Sequence, residues 1–188
     1  MTQKGELLRQ RIVTAADQLF YKNGYENTSF SDIASAVDIS RGNFYYHFKS
    51  KDEILNAVLD VRVADIEQML TDWDKTYPDP RQGILFYIDI LTNNQGNIKQ
   101  HGCPIGGMCT ELAKLNHGMQ DDANKMYVVF RDWLSEKFKQ LGYSKNAKQL
   151  AMHMLARMQG IASITHSFDD PNFLKYEVKL LKQWLDDL

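Results

Sequence analysis

A chain of 188 residues, 44% hydrophobic and 24% charged with four prolines and eleven glycines, can bury a substantial core, which excludes collagen-like and disordered readings. No apolar run approaches the ~18 residues that span a bilayer, the charged N-terminal stretch is not signal-like, and Cys103 and Cys109 alone make no disulfide framework, so the expected location is cytoplasmic with no membrane partner. The net charge is −2, yet residues 1–51 carry +2 and the remainder −4, which excludes a histone-like grip on nucleic acid by bulk charge and leaves room for a local basic surface.

Apolar residues recur at helical spacing throughout and period-two alternation is scarce, which predicts an all-α chain of about nine helices. Leu8, Ile12, Ala15 and Leu19 stripe the first helix, which Gly24 ends by taking a positive φ. Ser29 with Asp32 forms a variant of the capping box for a second, short helix ending near residue 37. After a tight turn, Ser40 caps a third helix of about two turns anchored by Phe44 and Phe48. A long fourth helix opens at Lys51 and is broken by Pro78 and Pro80; a fifth carries Ile84, Leu85, Ile88 and Leu91. The polar stretch 92–102 reads as a mobile loop, Pro104 opens a sixth helix, and Met119 to Leu141 mark a seventh, stopped by Gly142.

Two more helices follow, split at residues 169–171. The last carries Leu174, Val178, Leu181 and Leu185 on one side and Phe173, Leu180 and Trp184 on another. The helix before it divides Met152, Leu155, Ala156, Gln159 and Ser163 from Met154, Met158, Ile161 and Phe168. Two apolar sides predict two partner surfaces, one satisfied by symmetric pairing of these helices in a homodimer.

Helix, tight turn, short helix is the geometry of a helix-turn-helix, whose second helix enters the DNA major groove. Thr28 and Ser40 offer hydroxyls to phosphates; Arg41 suits phosphate or guanine, Gly42 permits close backbone approach, and Asn43 suits adenine or phosphate. With Phe44 and Phe48 filling the core positions, Tyr45, Tyr46 and His47 are expected at the groove, with Lys49 and Lys51 on the far strand.

The segment from Thr28 to Ala34, then from Ile39 to Phe48, then Lys51, resembles the DNA-binding domain of TetR-type transcriptional regulators. The resemblance implies an all-helical homodimer with a three-helix reading head over residues 1–52. It also implies a ligand-binding and dimerisation domain over residues 53–188, whose last two helices pair as a four-helix bundle. The implied partners are a palindromic operator in double-stranded DNA and a small-molecule inducer. By the family pattern, Thr28, Ser40, Arg41, Asn43, Tyr45, Tyr46, His47 and Lys51 contact DNA, mostly its backbone, and Gly42 occupies a tight approach. One departure is Asp38, which stands where the family usually has glycine in the turn between the second and third helices.

Beyond the fourth helix the residues must be read alone. Cys103, placed as the N-cap before Pro104, is a candidate thiol sensor for oxidants or electrophiles, whereas Cys103 and Cys109 also suit small buried positions. His101, Cys103, Cys109 and His117 are zinc-compatible types in no standard zinc spacing, so no metal or other cofactor is expected. Met108, Met126 and Phe130, among several other methionines and aromatics, suit a pocket for a flat or flexible apolar compound. His117, His153 and His166 are placed on buried sides, as core histidines or pocket donors. The absence of a phosphate-binding glycine loop, of HExxH and of paired carboxylates argues against an enzyme. The predicted function is a ligand-responsive DNA-binding regulator, most simply a repressor; the alternatives are a thiol-based sensor acting through Cys103 and a protein-interaction module that does not bind DNA.

Overall fold

The computed structural model describes residues 3–188, and at Arg41 the backbone only. Among these residues the secondary structure is helical: α1 (Gln3–Asn23), α2 (Phe30–Ala36), α3 (Arg41–His47), α4 (Lys51–Thr76), α5 (Pro80–Asn93), α6 (Gln95–His101), α7 (Pro104–Lys114), α8 (Gln120–Gln140), α9 (Ala147–Phe168) and α10 (Pro171–Asp186). The all-α expectation holds. The helix not foreseen is α6, which occupies most of the stretch read as a mobile loop. Its Ile98 is buried and anchors the turn, and Gly102 at φ +75° stops it.

Local signals set the other boundaries. Gly24 at φ +85° ends α1 and Gly142 at φ +98° follows α8, while Asp169 closes α9 in the left-handed region at φ +55°. Asp79 and Asp170 accept backbone N–H bonds as N-caps, each followed by a proline whose missing N–H would have had no helical partner.

The chain forms two compact units and crosses between them within α4, α7 and α8. The first runs to Ala64 and adds Gly107–Ala123; the second comprises Asp65–Gly106 and Asn124–Leu188. The first unit therefore extends past the expected boundary at residue 52 and recruits most of α7. Its core joins Ile12, Ala16 and Phe20 of α1, Ile33 of α2, Phe44 of α3, then Phe48, and Ile54, Leu55, Val58 and Leu59 of α4, all at most 3% exposed. Arg62 pairs with Asp17, tying α4 to α1.

In the second unit, Leu174, Val178, Leu181 and Leu185 of α10 are buried, as are Met154, Leu155, Met158 and Ile161 of α9. Phe173, Leu180 and Trp184 are half-buried, Trp184 lying 4.8 Å from the His153 ring and 6.3 Å from Phe138. The faces of α9 differ from the sequence reading. Leu155 faces the core, whereas Met152, Ala156, Gly160, Ile164 and Phe168 are all exposed, every fourth residue along the helix. Spacing of four puts these side chains in one row, with small residues at its centre.

Candidate nucleic-acid interface

The first unit carries a helix-turn-helix built by short-range chemistry. Ser29 and Asp32 close a full capping box: the Asp32 N–H donates to Ser29 Oγ (3.2 Å) and the Ser29 N–H to Asp32 Oδ2 (2.8 Å). The Ser29 hydroxyl, then its N–H, hold the Asp32 carboxyl below the usual carboxylate range. The turn into α3 places Asp38 at φ +53°, the left-handed conformation that glycine adopts without strain. Ser40 caps α3, its Oγ accepting from the Asn43 N–H at 3.4 Å. Asp38→Gly is expected to stabilise this unit by about 0.5–1 kcal/mol, read as a higher melting temperature; an unchanged or lower one would contradict the strain at this turn.

Phe44 is 1% exposed and meets Phe30 edge-on at 5.0 Å, while Tyr45 stacks on Phe30 at 5.3 Å. This leaves Tyr45 half exposed and Tyr46 69% exposed, with Asn43, Gly42 and Ser40 exposed beside them. A Cβ on Gly42 would meet nothing within 4 Å, so the glycine serves no internal packing and keeps the start of α3 low. The Arg41 side chain lies outside what is described.

Three expected DNA contacts prove to be turned inward. Thr28 is 1% exposed and its hydroxyl donates to the Gly24 carbonyl at 2.7 Å, so it braces the α1–α2 turn instead of facing solvent. His47 is 9% exposed, with Nδ1 buried and unpaired, because it stands three residues after Phe44, on the core side of α3. Lys51 Nζ donates to the carbonyls of Tyr25 (2.9 Å) and Glu26 (3.3 Å) and lies 4.2 Å from the centre of the Tyr25 ring, so at most one of its three N–H donors is left to face outward. Lys49 is exposed but bonds the Tyr45 carbonyl at 2.5 Å, closing the end of α3.

Sequence spacing gave no hint of a further component. Glu111 of α7 accepts the Tyr25 N–H on one oxygen and the Glu26 N–H on the other, both at 2.9 Å. A Cβ at Gly24 would come within 2.9 Å of the same carboxylate, so glycine is required for steric as well as conformational reasons. Tyr25 is buried, its hydroxyl donates to Asp52 at 2.5 Å, and the His117 ring meets its edge at 5.1 Å. Burial, then the bond to Asp52 and its charge, push the Tyr25 phenol well above the ordinary tyrosine range, so it stays a donor.

Residues 12–58, which span this arrangement from α1 to α4, match the family described as bacterial regulatory proteins, tetR family. A helix-turn-helix transcriptional regulator from the lacX 3' region of Lactococcus lactis subsp. lactis is 28% identical over 178 residues, covering 93% of this chain and 91% of its own length. A TetR transcriptional regulator from Legionella pneumophila superposes with a TM-score of 0.82 at 25% identity, covering 97% of each chain. The chain carries a DNA-binding domain of the tetR family. It is a DNA-binding transcriptional regulator. The transcriptional repressor DhaR of Mycobacterium sp. (strain GP1) is 26% identical, over 68% of this chain and 62% of its own.

The five residues expected to sense a ligand fall into separate units. Met108 and Cys109 lie in the first, both buried, with Cys109 Sγ 3.4 Å from the Ala123 carbonyl; Cys103, Met126 and Phe130 lie in the second. Neither cysteine is in a disulfide. Cys103 is the residue before α7, and its Sγ accepts the Gly106 N–H at 3.4 Å, as expected of an N-cap. Phe130 packs against Tyr87 at 5.3 Å. Burial, with smaller contributions from Cys103 and Tyr127, pushes the Tyr87 phenol far up. A groove of about 300 Å³ between α8 and α9 is lined by Tyr127, Val128, Met152, Leu155, Ala156 and Gln159, among others. Gln159 packs so tightly on Gly106 that a Cβ there would sit 2.2 Å from its Oε1. His153 and His166 are exposed, against the buried placement expected, because the helix turns them out. Among the described residues, no three His, Cys, Asp or Glu side chains are grouped to hold a metal ion.

Proposed function

We propose that the protein is a cytoplasmic, homodimeric repressor that grips a palindromic operator and releases it on binding a small, largely apolar molecule. The reading is carried by the exposed outer face of α3, where Ser40, Gly42, Asn43, Tyr45 and Tyr46 stand together above a fully buried Phe44. Tyr45 stacks on Phe30 by one face only and Tyr46 stands 69% exposed, and phenol and amide groups so presented beside an N-cap suit phosphate oxygens and base edges. Arg41 and the outward-facing part of Lys51 complete the proposed contact set.

The exposed row on α9, with Tyr176 of α10 also 61% exposed, supports pairing of these helices across a two-fold axis. Such a dimer presents two heads to half-sites about one helical turn of DNA apart. For the effector, the groove by Tyr127 and Gln159, whose α9 wall includes Met152 and Ala156 of that row and so lies at the edge of the proposed dimer seam, supports an apolar compound with one or two hydrogen-bonding groups. Effector binding is read as acting on the head through α4 and α7, helices that each contribute residues to both units.

Transcription from a template whose promoter overlaps the operator tests the reading. Repression that an apolar effector relieves is the expected result; stimulation of transcription would reverse its direction.

A further inference from the structure

The peptide units of Tyr25 and Glu26 are held on all four of their polar atoms. Glu111 takes both N–H groups and Lys51 takes both carbonyls, the first from α7 and the second from the start of α4. Turn peptides between two helices are ordinarily left to water. Here a carboxylate from 86 residues further along the chain replaces it on one side, and an ammonium that also sits over the Tyr25 ring replaces it on the other. Gly24 clears the space for the carboxylate, and Thr28 ties the end of the same turn back to the Gly24 carbonyl. The next residue, Ser29, is the N-cap of α2. The turn therefore fixes where α2 begins, and through it the angle at which α3 is presented.

We propose that Glu111 is a positioning residue for DNA binding: with Lys51 it clamps the α1–α2 turn, so that the reading head is ordered before it meets DNA. This rests on the DNA-binding reading above. Its physical content is preorganisation, since a turn already immobilised loses little further conformational entropy on binding. It also reverses the sign expected from electrostatics. A carboxylate in a DNA-binding unit repels phosphate, so removing a bystander carboxylate tightens binding, whereas removing this one weakens it.

The test uses the full-length protein and the duplex that the unaltered protein selects from a random pool. Glu111→Gln, which keeps one acceptor oxygen, is expected to bind about tenfold more weakly, and Glu111→Ala more weakly still. Glu26→Gln removes a charge from the same turn while leaving its N–H in place, and is expected to bind slightly more tightly. The dependence of binding on salt keeps its slope in the Glu111 variants, because no phosphate contact is lost. Amide hydrogen exchange at Tyr25 and Glu26 rises while the rest of α1 stays protected. Should Glu111→Ala fail to fold, Glu111→Gln and the exchange rates decide. Binding by Glu111→Gln that equals or exceeds that of the unaltered chain overturns the proposal. If the unaltered protein selects no duplex, the DNA-binding reading fails and the clamp has nothing to position.

Discussion

Ile164→Asp should leave a folded protein that no longer dimerises and that binds its operator at least about 10²-fold more weakly. Ile164 is 41% exposed in the outer row of α9, between Gly160 and Phe168, so the change leaves the buried face of Met154, Met158 and Ile161 intact and the monomer should stay folded. Across a two-fold axis, however, the row meets its own copy, and two aspartates would be buried facing each other without a partner. The loss of DNA affinity follows from arithmetic: a second head tethered to the first binds at the effective concentration set by the dimer, and a monomer forfeits it. Sedimentation at micromolar concentration reads the first effect and an operator titration the second. A variant that remains dimeric places the interface elsewhere.

The second large effect is expected at Phe44. Its ring is 1% exposed, is held edge-on by Phe30, and supports the residue that follows it on the exposed face. Phe44→Ala should destabilise the first unit by about 3–5 kcal/mol through lost transfer energy and the cavity left behind. Stability of a small domain is only about 5–15 kcal/mol, so the loss is a large part of the total. Denaturant unfolding followed by a probe in α3 should shift well before one in α10, whose core of Leu174, Leu181 and Leu185 lies in the other unit. A shift under about 1 kcal/mol would mean that α3 is not held through its core face.

What could be read from sequence was what neighbouring residues decide. Ser29 with Asp32, Ser40 before α3, Asp38 at the turn, Gly142 and the 169–171 break act within a few residues, and each sits where its chemistry placed it. What could not be read depends on partners far along the chain. Thr28 and Lys51 are polar residues in a polar stretch, and only the fold shows that their side chains are turned inward, whereas His47 could have been placed there by its spacing of three from Phe44. Glu111 looks like any exposed carboxylate of an amphipathic helix until α7 is set against the α1–α2 turn. The faces of α9 erred for a similar reason, since its amphipathic stripe is broad and the position of Leu155 near the border is settled by packing. For α6, one buried Ile98 outweighs a polar composition.

Selection of duplexes from a random pool by the purified protein, beside Tyr46→Ala, tests the central claim most directly. Tyr46 is 69% exposed, so its loss cannot disturb the core. The predicted result is enrichment of one palindrome with half-sites about a helical turn apart, bound by the unaltered dimer with steep salt dependence and lost by Tyr46→Ala. A folded dimer that enriches no sequence at low salt, or one whose palindrome Tyr46→Ala holds equally well, would contradict the assignment of this face of α3 to DNA.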